Sequence, residues 1–185
     1  MANVFRNAFC LFTVPALLIV APAPISSQEA SSPPQVAAAD VESIDAIVNA
    51  VYDVISGPAG QRRDWDRFRS LFLPGAKLIP VFKPQDGEGA AHLMWSPEEY
   101  VERAASRLES AGFFEVEIHR TVERFGPVAH LFSTYESRHR ADDETPFARG
   151  INSFQLMNDG TRWWVVNILW TSERPDLPIP EDYLP

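Results

Sequence analysis

Residues 147–170, FARGINSFQLMNDGTRWWVVNILW, constrain the fold of this chain more than any other stretch. Asn158-Asp159-Gly160 stands between two long apolar-rich runs, and Asp-Gly in that setting is the strongest short-range hairpin signal. A loop of two or four residues pairs Asn152 with Asn167, Phe154 with Val165, Leu156 with Trp163 and Arg149 with Trp170. A three-residue loop slips the pairing by one and breaks the asparagine pair.

Two more long strands are expected just upstream, over 113–125 and 128–140, around Gly126-Pro127, a pair that suits a type II′ turn. Strand alternation then sorts the side chains into two faces. One carries Phe114, Val116, Ile118, Val122, Leu131, Ser133 and Tyr135; the other carries Glu115, Glu117, His119, Glu123, His130, Glu136 and Arg138. The first face is assigned to the core, because burying that many unpaired carboxylates is too costly. On the second, Glu115 opposite Arg138 and Glu123 opposite His130 read as an ordinary solvated charge ladder. Carried across the polar loop 141–146, the register places Tyr135, Asn152 and Asn167 in one row with Ile118 on the core face. Such a row either satisfies itself and nearby backbone or lines a pocket, since ligand cavities are mostly apolar with a few placed polar groups.

The first half of the chain reads as helices. Asp40 is the expected N-cap of an amphipathic helix with Val41, Ile44, Val48, Val51 and Ile55 in its stripe, stopped by Gly57-Pro58. A shorter helix carries Trp65, Phe68 and Phe72, and short strands are expected over 76–82 and 90–95. Ser96, Pro97 and Glu99 open a third helix with a capping box. Its buried stripe is Tyr100, Val101, Ala104 and Leu108, and Gly112 ends it.

Residues 1–27 have the layout of a secretory signal peptide: Arg6, an apolar run over 8–21, then Pro22 and Pro24 among small residues. A membrane anchor is the alternative, but Pro15, Pro22 and Pro24 cut any unbroken helix below the roughly 20 residues a span needs. The expected organisation is a signal peptide over 1–27, a low-complexity tether over 28–39, one domain over 40–172 and a Pro-rich tail over 173–185. The expected location is secreted or periplasmic, with no membrane contact after signal removal. Cys10, the only cysteine, lies in the signal, which leaves the rest of the chain without disulfide or thiol chemistry. A net charge of −9 with no basic run argues against nucleic acid or an anionic membrane as partner. There is no phosphate-binding Gly loop or nucleophile elbow, and His92, His119, His130 and His139 lack metal-ligand spacing. No metal and no cofactor are expected.

The order helix, short helix carrying DWDRFRSLFLPGA, strand, capped helix, then four long strands ending RWWVVNILW resembles the nuclear transport factor 2-like, or SnoaL-like, superfamily over residues 40–172. The resemblance implies an α+β fold in which a curved antiparallel sheet wraps around three helices as a cone with a central cavity, often dimeric through the sheet. That superfamily holds ketosteroid isomerase, scytalone dehydratase, limonene epoxide hydrolase and polyketide cyclases beside many non-catalytic binders. Ketosteroid isomerase works with an Asp base and an oxyanion hole of Tyr plus a protonated Asp. On the register above the core face offers no carboxylate, only Arg120, Tyr135, Asn152 and Asn167, so no proton abstraction of that type is expected. Asp64 and Asp66 on the helical side read as solvated helix-start residues.

The expected function is therefore an exported domain binding a small apolar or amphipathic molecule, with Tyr135, Asn152, Asn167, Arg120 and Tyr52 as its contacts and no assigned catalytic residue. An isomerase, dehydratase or cyclase-type enzyme is one alternative, and a structural or assembly module using the sheet is another. Ile151, Trp164, Val166, Ile168 and Trp170 fall on the outward face of the last hairpin and point to a homodimer there. The tail residues Leu177, Ile179 and Tyr183 are the competing cover.

Overall fold

The computed structural model describes residues 37–85 and 87–185. The expected signal peptide and most of the tether lie outside the described residues. Six strands, β1 (Phe72–Phe82), β2 (Ala91–His92), β3 (Phe114–Phe125), β4 (Val128–Arg138), β5 (Ala148–Asn158) and β6 (Trp163–Ser172), form one sheet in the order β2-β1-β6-β5-β4-β3. β3 to β6 run as an antiparallel meander, and β1 adds parallel to β6. The helices α1 (Ile44–Ile55), α2 (Trp65–Ser70) and α3 (Pro97–Ala111) complete an α+β architecture whose sheet is curved and open. Ile47, Val48 and Phe68 from the helices meet Leu131, Phe154, Leu156 and Val165 from the sheet in a fully buried core. Among the described residues no helix is long and apolar enough to cross a membrane.

The capping box of α3 forms as written in the sequence: Ser96 Oγ accepts from Glu99 N at 3.2 Å, and the Glu99 carboxylate accepts from Ser96 N at 2.7 Å. The start of α1 differs from expectation. Asp40 ends a 3₁₀ turn (Ala38–Asp40), and Ser43 is the cap, its Oγ accepting from Ala46 N at 3.0 Å. Asp40 instead takes a two-pronged contact from Arg67, Nε at 2.8 Å and Nη2 at 2.9 Å. A carboxylate gains more from a guanidinium fork than from one backbone N–H.

Two bulges change which side chains face the helices. β3 and β4 pair as expected from Phe125↔Val128 to His119↔Thr134, but the register then shifts, so that Glu117 opposes Tyr135 and Glu115 opposes Ser137. The unpaired residue is Ile118, and everything before it on β3 changes face. Glu115 and Glu117 turn inward, while Val116, expected in the core, is 48% exposed. The expected charge ladder therefore holds only beyond the bulge, where Glu123 faces His130.

In the last hairpin the loop is 159–162, with Asp159 Oδ1 accepting from the backbone N–H groups of Thr161 (2.8 Å) and Arg162 (3.0 Å). Leu156 pairs with Val165; an extra residue at Val166 then sets Gln155 opposite Asn167, Phe154 opposite Ile168 and Asn152 opposite Trp170. The turn already offsets the pairing by two residues, so the expected Asn152–Asn167, Phe154–Val165, Leu156–Trp163 and Arg149–Trp170 pairs do not form, and the extra residue then puts Asn167 on the outer face. Ile168 and Trp170, expected outside, face in: Ile168 is buried and Trp170 packs on the core. The reason is the same at both places. A bulge inserts one residue to bend and twist a strand, and each insertion reverses the alternation beyond it.

Between β4 and β5 the partner of Asn152 is Ser133, and Tyr135 lies opposite Gly150. A Cβ at Gly150 would collide with the Thr171 carbonyl oxygen and with the Tyr135 hydroxyl, so the close packing there needs glycine. The tail folds back over the sheet. Thr134 Oγ1 donates to the Tyr183 carbonyl at 2.7 Å, and the Tyr183 ring lies 5.6 Å from that of Phe132. It thus covers the outside of β4.

Candidate functional site

The concave face of the sheet and the helices enclose a cavity of about 620 Å³. Phe68, Leu78, Phe154 and Ile168 form apolar wall, and Trp95 and Trp170 pack against each other at a tilt with ring centroids 6.4 Å apart. A second depression, about 560 Å³ and open to solvent, lies between 145–149 and 173–178. The first holds the chemistry, because burial along its wall shifts an ionisable group toward its neutral form.

That group is Glu115. The bulge at Ile118 turns its half-buried side chain toward the cavity, which it lines. Oε2 accepts from Ser137 Oγ at 2.8 Å and Oε1 from Asn152 Nδ2 at 3.4 Å, the second being long for a hydrogen bond. Burial pushes the carboxyl up to about 7, and the two donors offset only part of that. Tyr135 and Tyr100 line the same space. Burial pushes Tyr135 up to about 12 despite the Ser172 Oγ at 3.2 Å, with Glu115 adding to the rise. Burial also raises Tyr100, again reinforced by Glu115. The inner wall therefore offers a carboxyl poised near neutrality beside two protonated phenols.

Behind it runs a directed chain of hydrogen bonds. Ser133 gives its only proton to the Glu117 carboxylate. The 2.6 Å contact between Ser133 and Tyr52 must therefore be donated by Tyr52, and Tyr52 in turn accepts from Asn152 Nδ2 at 3.0 Å. Glu117 closes the chain against Arg120, whose Nε lies at 2.8 Å and whose Nη1 reaches Asp45 at 2.6 Å. Asn152 is the junction, sending one amide hydrogen to the anchored network and the other toward Glu115. Burial raises the Tyr52 hydroxyl far above the ordinary phenol range, so it stays a donor.

The five expected site residues thus separate. Tyr135 and Asn152 line the cavity. Tyr52 stands one hydrogen bond behind Asn152. Arg120 faces inward but is held by Glu117 and Asp45, and it does not line the cavity. Asn167 is on the opposite face of the sheet. Glu115 is the residue missed, and its presence overturns the expectation that the core face has no carboxylate. The sequence held one signal of it: Ser133 and Ser137 put two small hydroxyls on the core face of β4, where inward carboxylates on β3 find donors.

No family model matches the sequence, and no curated protein matches it. Solved structures do. A nuclear transport factor 2-like protein of unknown function from Pseudomonas putida superposes with a TM-score of 0.54 at 12% identity, covering 82% of this chain and 100% of that one. An uncharacterised cystatin-like protein from Caulobacter vibrioides gives 0.55 at 14%, covering 73% and 90%. One of unknown function with a cystatin-like fold from Nostoc punctiforme gives 0.53 at 12%, covering 73% and 91%. The fold is that of nuclear transport factor 2-like and cystatin-like proteins. At these identities the likeness extends to the fold alone.

Proposed function

We propose that this chain is an exported domain that binds a small, largely apolar molecule in the cavity, with Glu115, Tyr135 and Asn152 as its inner polar contacts. One observation carries the reading: a cavity of about 620 Å³ with apolar walls keeps a few convergent polar groups at its inner end. Pockets that hold small ligands share this composition. Export rests on the signal-peptide layout of residues 1–27. Native mass spectrometry of the protein purified from its own secretion route tests both parts, through a co-purified small molecule and through a chain shortened near residue 27. An empty cavity that also fails to shift in melting temperature across a library of apolar compounds sinks the binding reading.

A second reading, proton-transfer catalysis, is favoured by Glu115 itself. A carboxyl pushed up to about 7 by burial suits a general acid or base at neutral pH, and Tyr135 stands by as a donor to a developing oxyanion. Deuterium uptake at the α-carbon of a bulky cyclic ketone, followed by NMR, discriminates. Exchange by the protein that is lost in Glu115→Gln supports catalysis; equal rates for both leave a binder.

The homodimer stays a proposal with a smaller surface. Ile168 and Trp170 have left the outward set, and Trp164 is taken up by Asp159 Oδ2 at 2.7 Å and by Arg162, 3.6 Å above its ring. Ile151 and Val166 remain, and Leu169, turned outward by the bulge and 40% exposed, joins them. Light scattering of the full chain tests it.

A further inference from the structure

Resting on the reading that the cavity is a ligand site, we propose that its ligand is an organic anion: an apolar body against Trp95 and Trp170 with a carboxylate or phosphate head held by Arg103 and Arg107. Both arginines line the cavity and both are exposed, which places them at its mouth. They stand four residues apart on α3, so they share one face with their Cβ atoms about 6 Å apart. Like charges in that relation repel, and an anion between them removes the repulsion.

Among the described residues neither guanidinium forms a hydrogen bond or an ion pair, although Arg63, Arg67, Arg69, Arg120, Arg138 and Arg149 all do. Glu99 feels the charge of Arg103, but its carboxylate is committed to the Ser96 N–H of the capping box at 2.7 Å. The cavity's own carboxyl does not use them either. The groups that favour ionised Glu115 are Ser137 and Asn152, and no arginine is among them. Two positive charges thus stand unspent at the entrance of an apolar cavity in a chain of net charge −9.

The arrangement also sets the orientation. Arg103 already lies 5.7 Å from the Trp95 ring, so a head group bound there leaves the body against Trp95 and Trp170. Planar guanidinium forks match carboxylate and phosphate oxygens. A head pushed to the inner end would meet Glu115 instead.

Titrations of the full chain with decanoate, decyl phosphate and decan-1-ol at pH 6 and low salt, read by the fluorescence of the tryptophans, test this. The three share an apolar body and differ in the head. Decanoate and decyl phosphate are expected to bind about tenfold or more tighter than the alcohol, the scale of charge-assisted hydrogen bonds. The difference between the two anions tells a carboxylate site from a phosphate site. Arg103→Gln with Arg107→Gln should bring the anions to within about twofold of the alcohol, while the alcohol is unchanged, and the Lys/Lys variant should retain part of the preference. Circular dichroism checks that each variant is folded. Equal binding of alcohol and anions, or an anion preference that survives the double Gln variant, overturns the inference and leaves the binding reading standing. Failure of all three compounds to bind removes both.

Discussion

Glu115 and Glu117 stand two residues apart on the same face of β3, and they occupy opposite electrostatic worlds. Glu117 lies under the helix α1 with the Arg120 fork against it, accepts a hydrogen bond from the Ser133 hydroxyl, and is 17% exposed. Glu115 opens onto the cavity with only Ser137 and a distant Asn152 to favour its charge. The first is built into the fold through a closed network; the second keeps a proton up to about pH 7. A buried carboxyl with a cationic partner is a structural tie, and one without is a reactive group.

The largest expected effect comes from breaking the tie. Arg120→Leu leaves Glu117 buried and unpaired and should destabilise the domain by about 3–5 kcal/mol in chemical denaturation at pH 7.5. A loss below about 1 kcal/mol means that the pair is solvated and the contrast is false. Next is Glu115→Gln, which should stabilise the domain, and only on the alkaline side. The folded-state value of Glu115 is raised from 4.5 to about 7. Between those values the unfolded chain binds fewer protons than the folded one, so stability falls as pH rises through that window and levels above it. The variant should match the parent below about pH 4 and exceed it by up to ~3 kcal/mol at pH 8. Equal pH profiles would contradict this.

Asn152→Leu removes the donor to the Tyr52 hydroxyl and the weak one to Glu115, and should cost about 1–3 kcal/mol. It should also move the Glu115 midpoint further up. Smallest is Asn167→Leu, on the outer face, which should change stability by no more than about 0.5 kcal/mol. A cost like that of Asn152→Leu would put Asn167 back inside.

Much of the fold was legible in the chain. The Ser96 box, the Asp-Gly turn and the alternation of apolar residues located α3, the last hairpin and most of the strands. What sequence periodicity does not carry is the position of a bulge. One added residue near Ile118 and one near Val166 leave every strand in place, and they exchange which residues face the cavity. Those two insertions moved Glu115, Ile168 and Trp170 in and Asn167 out. Tyr135 and Asn152 stayed on the inner face because β4 and β5 pair without a shift. The candidate site was legible to the extent that its strands are regular.

The account turns on the protonation of one side chain. A titration of the intact protein labelled with ¹³C at the glutamate side-chain carboxyl carbon, with Glu115→Gln to assign the resonance, measures it directly. The predicted result is one carboxyl titrating near pH 7, absent from the variant. A Glu115 resonance that titrates in the ordinary glutamate range near 4.5 would contradict the account, and with it the cavity as a place where a carboxyl is kept protonated.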